Sequence, residues 1–332
     1  MLTGLRTFVA LYGLLCNAQL HPMVRENLGS RDYTCPESLA ASRNNFHFRG
    51  AALGGWLVLE PWITPSLFYQ FLGAHERWGD EAPAHVGIDS LSFCTALGDE
   101  EANKQLRRHW RTWVTEKEIV ALSAAGVDTV RIPVGDWMYV PYEPYIGCMD
   151  GALEELDRVL RLCEKHGLKA LLDIHCARYA NVKPPPLPAP PRPSLTSPHT
   201  FPTTNSSRGS QNGLDNSGVS DRVEWLSPTQ YRHWELRSAD WVGPWNIQTQ
   251  SYDSINFTNV DVTLRAVEAL VSLHKDDPVV VGMTPLNEPW YNTPLDVLKE
   301  FYWNSYRAVQ DAAPHWVTLL HDSFRLRLEV FK

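Results

Sequence analysis

A parallel α/β fold of the (β/α)8 TIM-barrel type is predicted by three features of residues 48–322: short unbroken apolar runs, amphipathic helices between them, and polar side chains gathered where the runs end. Runs that are apolar at every position suit strands buried on both faces, as in a parallel sheet flanked by helices. Polar residues at the C-terminal ends of successive strands favour a barrel, which builds its site there. A doubly wound sheet binds ligands at the same ends, usually with a glycine-rich phosphate turn after its first strand. Gly54-Gly55 is not that turn, and no P-loop motif occurs.

The elements follow in order. Residues 48–53 predict a first strand. Residues 100–125 predict one helix, with Leu106, Trp110, Trp113, Ile119 and Leu122 at apolar spacings and Gly126 as its break. Residues 128–133 (DTVRIP) form the second run. Leu153, Leu156, Val159, Leu160 and Cys163 stripe the next helix, ended by His166-Gly167. Residues 168–174 (LKALLDI), 278–284 (PVVVGMT) and 316–320 are the third, fourth and fifth runs, with helices predicted over 260–274 and 295–309. Arg131, His175, Asn287 and Glu288 are expected at or just past the C-terminal ends of successive strands.

Residues 1–18 have the form of a secretory signal peptide: Arg6, the apolar run 7–15 (TFVALYGLL), then Cys16-Asn17-Ala18. The run is too short to span a bilayer, so a secreted chain with no membrane span after signal removal is expected, with one domain over 19–332. Cys35, Cys94, Cys148, Cys163 and Cys176 then remain, an odd number that leaves at least one unpaired in a monomer. Asn205 and Asn256 begin glycosylation triplets. Nine prolines between Lys183 and Pro202 predict a disordered, solvated insertion at about 176–207, since such a run forms neither helix nor sheet. The net charge of −8 argues against nucleic acid as a partner. The 13 Trp and 12 Tyr suit either a core or a groove in which sugar rings stack on aromatic faces.

The strongest chemical signal is Thr284-Pro-Leu-Asn-Glu-Pro-Trp290 at the end of the fourth run. Glu288 is placed to give a proton to a leaving oxygen, and Asn287 to bind a sugar hydroxyl beside the reacting carbon. Other readings stand for its companions. Arg131 suits a structural ion pair, His175 a core or loop histidine, Glu60 a loop cap, and Asp215 a turn. No Gly-x-Ser-x-Gly elbow occurs, and Asp150-Gly-Ala-Leu-Glu-Glu lacks the alternating ligands of a calcium loop.

Five stretches recur in a family order: 49–68 (RGAALGGWLVLEPWITPSLF), 130–134 (VRIPV), 173–175 (DIH), 209–218 (GSQNGLDNSG) and 286–289 (LNEP). On these the chain resembles glycoside hydrolase family 5 of clan A, in particular its fungal-type exo-β-1,3-glucanases. The resemblance implies a retaining mechanism on β-glucan, releasing glucose from chain ends, with no organic cofactor and no metal. It implies Glu288 as acid/base with Asn287 beside it. It implies Arg131 supporting the nucleophile carboxylate, His175 in the active site, and Glu60 and Asp215 on the hydroxyls of the terminal glucose. The family's nucleophile follows a seventh strand and no position here matches it, so only about the first five βα units are expected. Two alternatives stay open: a non-catalytic glucan-binding chain, and endo-cleavage of a β-glucan or β-mannan.

Overall fold

The computed structural model describes residues 48–61, 63–78, 85–177, 210–211, 225–227, 230–231, 241–246 and 248–325. The signal-peptide segment, Cys35, Asn205, Asp215 and insertion residues 178–207 lie outside them.

Five parallel strands run in chain order across one sheet: β1 (Gly50–Ala52), β2 (Thr129–Gly135), β3 (Lys169–Ala177), β4 (Val280–Thr284) and β5 (Val317–Thr318). The order never reverses, unlike that of a doubly wound sheet. Every β3 residue after Lys169 is buried, as in a strand covered on both faces. Ser210–Gln211 adds an antiparallel segment, pairing Gln211 with Cys176 and Ser210 with Ala177 at the C-terminal end of β3.

Between β1 and β2 come α1 (Ser90–Leu97), α2 (Asp99–Trp113) and α3 (Glu116–Ala124). The single helix expected over 100–125 is therefore two. Thr115 and Glu118 form a capping box, each side chain accepting a backbone N–H at the other's position, and this starts a new helix while the apolar spacing continues across the break. α4 (Ala152–Lys165) precedes β3 and packs against it through an apolar stripe that includes Leu156, Val159, Leu160 and Cys163. α5 (Phe257–His274) and α6 (Leu295–Ala312) flank β4 in sequence and pack on each other. Asn256 caps α5, its side chain accepting from the Asn259 N–H. The first strand is shorter than residues 48–53, and the fifth shorter than 316–320.

Trp56, Trp110 and Trp241 are fully or almost fully buried, so for these rings the core reading holds. Cys94 and Cys148 form a disulfide from α1 to the turn before α4, whereas Cys163 and Cys176 are buried thiols. Burial and nearby Asp277 push the Cys163 thiol up to about 12, which makes it inert at neutral pH. No helix among the described residues is long and apolar enough to cross a membrane.

Candidate active site

Parallel pairing puts Arg131 level with Leu171, and Asp173 level with both Pro133 and Thr284. Residues at alternate positions of neighbouring strands share a face, so Arg131 and Asp173 project to the same side, one pleat repeat apart. Arg131 is the third of the seven residues of β2, not at its C-terminal end as expected. Its long side chain spans the offset: Nη2 lies 2.8 Å from Asp173 Oδ2 and donates to Asn287 Oδ1 at 2.6 Å. His175, two residues beyond Asp173 on the same strand, has Nδ1 2.8 Å from the same Oδ2. Arg131, Asp173, His175 and Asn287 thus form one connected polar group.

Asp173 is completely buried. Burial pushes its proton affinity up, but the Arg131 charge and the hydrogen bonds from His175 and Arg131 outweigh that and hold the carboxyl below its ordinary range. Its other oxygen, Oδ1, and His175 Nε2 are buried with no hydrogen-bond partner among the described residues.

Asn287 and Glu288 lie just past β4, as expected. The Asn287 N–H donates to the Ile174 carbonyl at 2.9 Å, extending the attachment to β3 beyond the strand. Glu288 has φ +38°, in the left-handed region that side chains with a Cβ rarely adopt, and it precedes a proline. Such strain persists only where the surroundings hold it. Trp290 packs edge-on against Trp245, with ring centroids 4.5 Å apart. The Arg325 guanidinium donates to the carbonyls of Tyr291 and Thr293 and ties down the loop that follows Glu288.

Glu60 is buried, and Oε1 accepts the Gly55 N–H at 2.8 Å, so the loop-cap reading of this carboxylate is realised. The paired glycines serve this contact. Gly55 has φ +66°, and a Cβ on Gly54 would sit 3.0 Å from that oxygen and 2.7 Å from Ile63 Cδ1. Asp215 lies outside the described residues.

Three residues absent from the expected set belong here. Asp173 is the hub just described. Tyr302 OH donates to the His321 carbonyl at 2.9 Å. His321 follows β5, and its Nδ1 accepts the Ser323 N–H at 3.0 Å. The fields of Glu288, Asp322, Arg131 and Asp173 all reach its ring. The available sequence signal for His321 was its place directly after the fifth apolar run, the counterpart of His175 after the third. Among the described residues no group of three His, Cys, Asp or Glu is arranged to hold a metal ion.

Burial lowers the proton affinity of His321, and likewise of His109 and His274. Their unfolded counterparts protonate near the ordinary value of about 6.5, so just below that pH the unfolded chain binds more protons. Stability is expected to fall as pH drops below about 6.5, with a slope approaching ~1.4 kcal/mol per pH unit for each histidine. Urea unfolding at pH 7.5 and 5.5 checks this, and a midpoint that holds or rises on acidification would refute it.

The chain is similar to curated fungal proteins. It is 34% identical over 291 residues to a glucan 1,3-beta-glucosidase of Blumeria graminis, an alignment covering 86% of this chain and 51% of that protein. It is 33% identical over 281 residues to the probable glucan 1,3-beta-glucosidase A of Emericella nidulans, covering 83% and 51%. The glucan 1,3-beta-glucosidase of Pichia angusta is 31% identical over 281 residues, covering 83% and 48%. The chain therefore spans about half the length of these relatives. No protein-family model matches it. Among solved structures, the rutinosidase from Aspergillus niger superposes with a TM-score of 0.49 at 15% identity, covering 85% of this chain and 64% of that one. The homologues by sequence are glycosidases.

Proposed function

We propose that the chain carries the acid/base half of a retaining β-glucan hydrolase site, of the family 5 exo-β-1,3-glucanase type, which removes glucose from chain ends. The observation that carries the reading is the polar group of Arg131, Asp173, His175 and Asn287, with Glu288 next in sequence, supplied by β2, β3 and the segment just past β4. Sequence similarity to glucan 1,3-beta-glucosidases supports the substrate class. Glu288 is the acid/base. Asn287, whose Oδ1 accepts from Arg131, stands beside it to bind a sugar hydroxyl next to the reacting carbon. Glu60 and Asp215 bind hydroxyls of the terminal glucose.

The five strands are read as consecutive strands of a (β/α)8 barrel. Right-handed crossovers between strands in unreversed order put the helices on one face, and closure into a barrel then buries the other. A retaining reaction needs a second carboxylate about 5–5.5 Å from the first. By the resemblance it belongs to the part of the relatives that this chain does not cover. The Cys94–Cys148 disulfide agrees with a secreted, extracellular or cell-wall location.

Incubation of a polypeptide that joins these residues to the second carboxylate with laminari-oligosaccharides, followed by product analysis, tests the reading. Glucose alone, released unit by unit, is the expected product. Mixed oligosaccharides would mark endo-cleavage. Saturable binding without turnover would mark a chain that binds glucan and does not cut it.

A further inference from the structure

We propose that Asp173 is a positioning residue that locks the His175 ring in its Nδ1–H tautomer, leaving Nε2 to accept a hydrogen bond from a substrate hydroxyl. The choice of hydroxyl rests on the β-glucan reading, but the tautomer does not.

An ionised carboxylate only accepts hydrogen bonds. Asp173 Oδ2 faces Arg131 Nη2 at 2.8 Å and His175 Nδ1 at 2.8 Å, so Nδ1 must bring the proton to this contact. Arg131 keeps Asp173 charged despite complete burial. A neutral imidazole has a single N–H, which leaves Nε2 with a lone pair. That nitrogen is buried and has no hydrogen-bond partner among the described residues. A buried acceptor left unpaired is costly, and a ligand O–H relieves the cost. Arg131 carries the same constraint on to Asn287 Oδ1 at 2.6 Å, so one buried carboxylate orients an imidazole on β3 and an amide beyond β4.

Long-range 1H–15N NMR of the labelled full chain at pH 8 tests the lock, with the His175 signals assigned by their loss in His175→Gln. Wild type is expected to show a pyrrole-type Nδ1 and a pyridine-type Nε2. A wild-type ring protonated on Nε2 overturns the proposal without recourse to any variant. In Asp173→Asn, Arg131, a donor only, turns the amide oxygen toward itself and His175, so the informative variant is Asp173→Ala. Asp173→Ala removes the acceptor and is expected to release the ring to a tautomer mixture that includes Nε2–H; a ring that stays wholly Nδ1–H in that variant also overturns the proposal. Laminaritriose is expected to shift the wild-type Nε2 signal and to bind about tenfold more weakly to Asp173→Ala, the scale of one misdirected hydrogen bond. An Nδ1–H ring that laminaritriose leaves unmoved counts against the glucan reading and leaves the lock standing.

Discussion

Glucose release from laminari-oligosaccharides is expected to fall by about 10²–10⁴-fold when Glu288 is replaced by Gln, the usual contribution of a general acid or base. The measurement belongs to a polypeptide that joins these residues to the second carboxylate. Gln keeps the size and hydrogen-bonding reach of the side chain but has no proton to give to the leaving oxygen. It also keeps a Cβ at φ +38°, so the strain at position 288 is common to both proteins and the unfolding midpoint should stay close to wild type. Substrates with activated leaving groups need less protonation, so the first step should recover more on an aryl glucoside than on laminaribiose. Equal turnover of laminaribiose by Glu288→Gln and wild type would remove Glu288 from the chemistry.

The largest loss of stability is expected at Asp173. Asp173→Ala removes the carboxylate facing Arg131 and His175, and breaking a buried pair by deleting one partner typically costs about 3–5 kcal/mol. The Arg131 side chain keeps 32% of its exposure, so water takes up part of that charge and the lower end, about 3 kcal/mol, is expected. The sign of the pH dependence follows from the depressed proton affinity of Asp173. Its stabilisation is present above the ordinary aspartate value of about 3.9 and is lost as pH falls through the lower folded value. Urea unfolding of wild type and Asp173→Ala between pH 7 and 3 should show curves that converge at the acid end. A gap independent of pH would mean that only shape, not charge, was lost.

Much of the fold was legible because burial on both faces writes itself into consecutive residues. The runs at 128–133 and 168–174 became the long central strands, and Leu156, Val159, Leu160 and Cys163 became the buried stripe of α4. The break at Thr115 was also written locally, as Thr-x-x-Glu, but the apolar period on either side concealed it. Asp173 was visible within the Asp-Ile-His stretch, yet nothing local gave it a partner. Its role depends on strand register, which brings together residues 42 positions apart (173 − 131). Glu60 shows the reverse: the local loop-cap reading holds, with its Oε1 bound by a backbone N–H five residues away.

The antiparallel pair at the end of β3 bears on how this site has room to change. Cys176 with Gln211 and Ala177 with Ser210 close a stem, and 32 residues (210 − 177 − 1) separate its two sides. Loop-closure entropy grows only with the logarithm of length, about 0.6 kcal/mol per doubling. Once the stem is paired, lengthening what lies beyond it costs the Asp173–His175 pair almost nothing. Drift in sequence and length can accumulate at this position, one residue past a chemically constrained strand, without being opposed by folding.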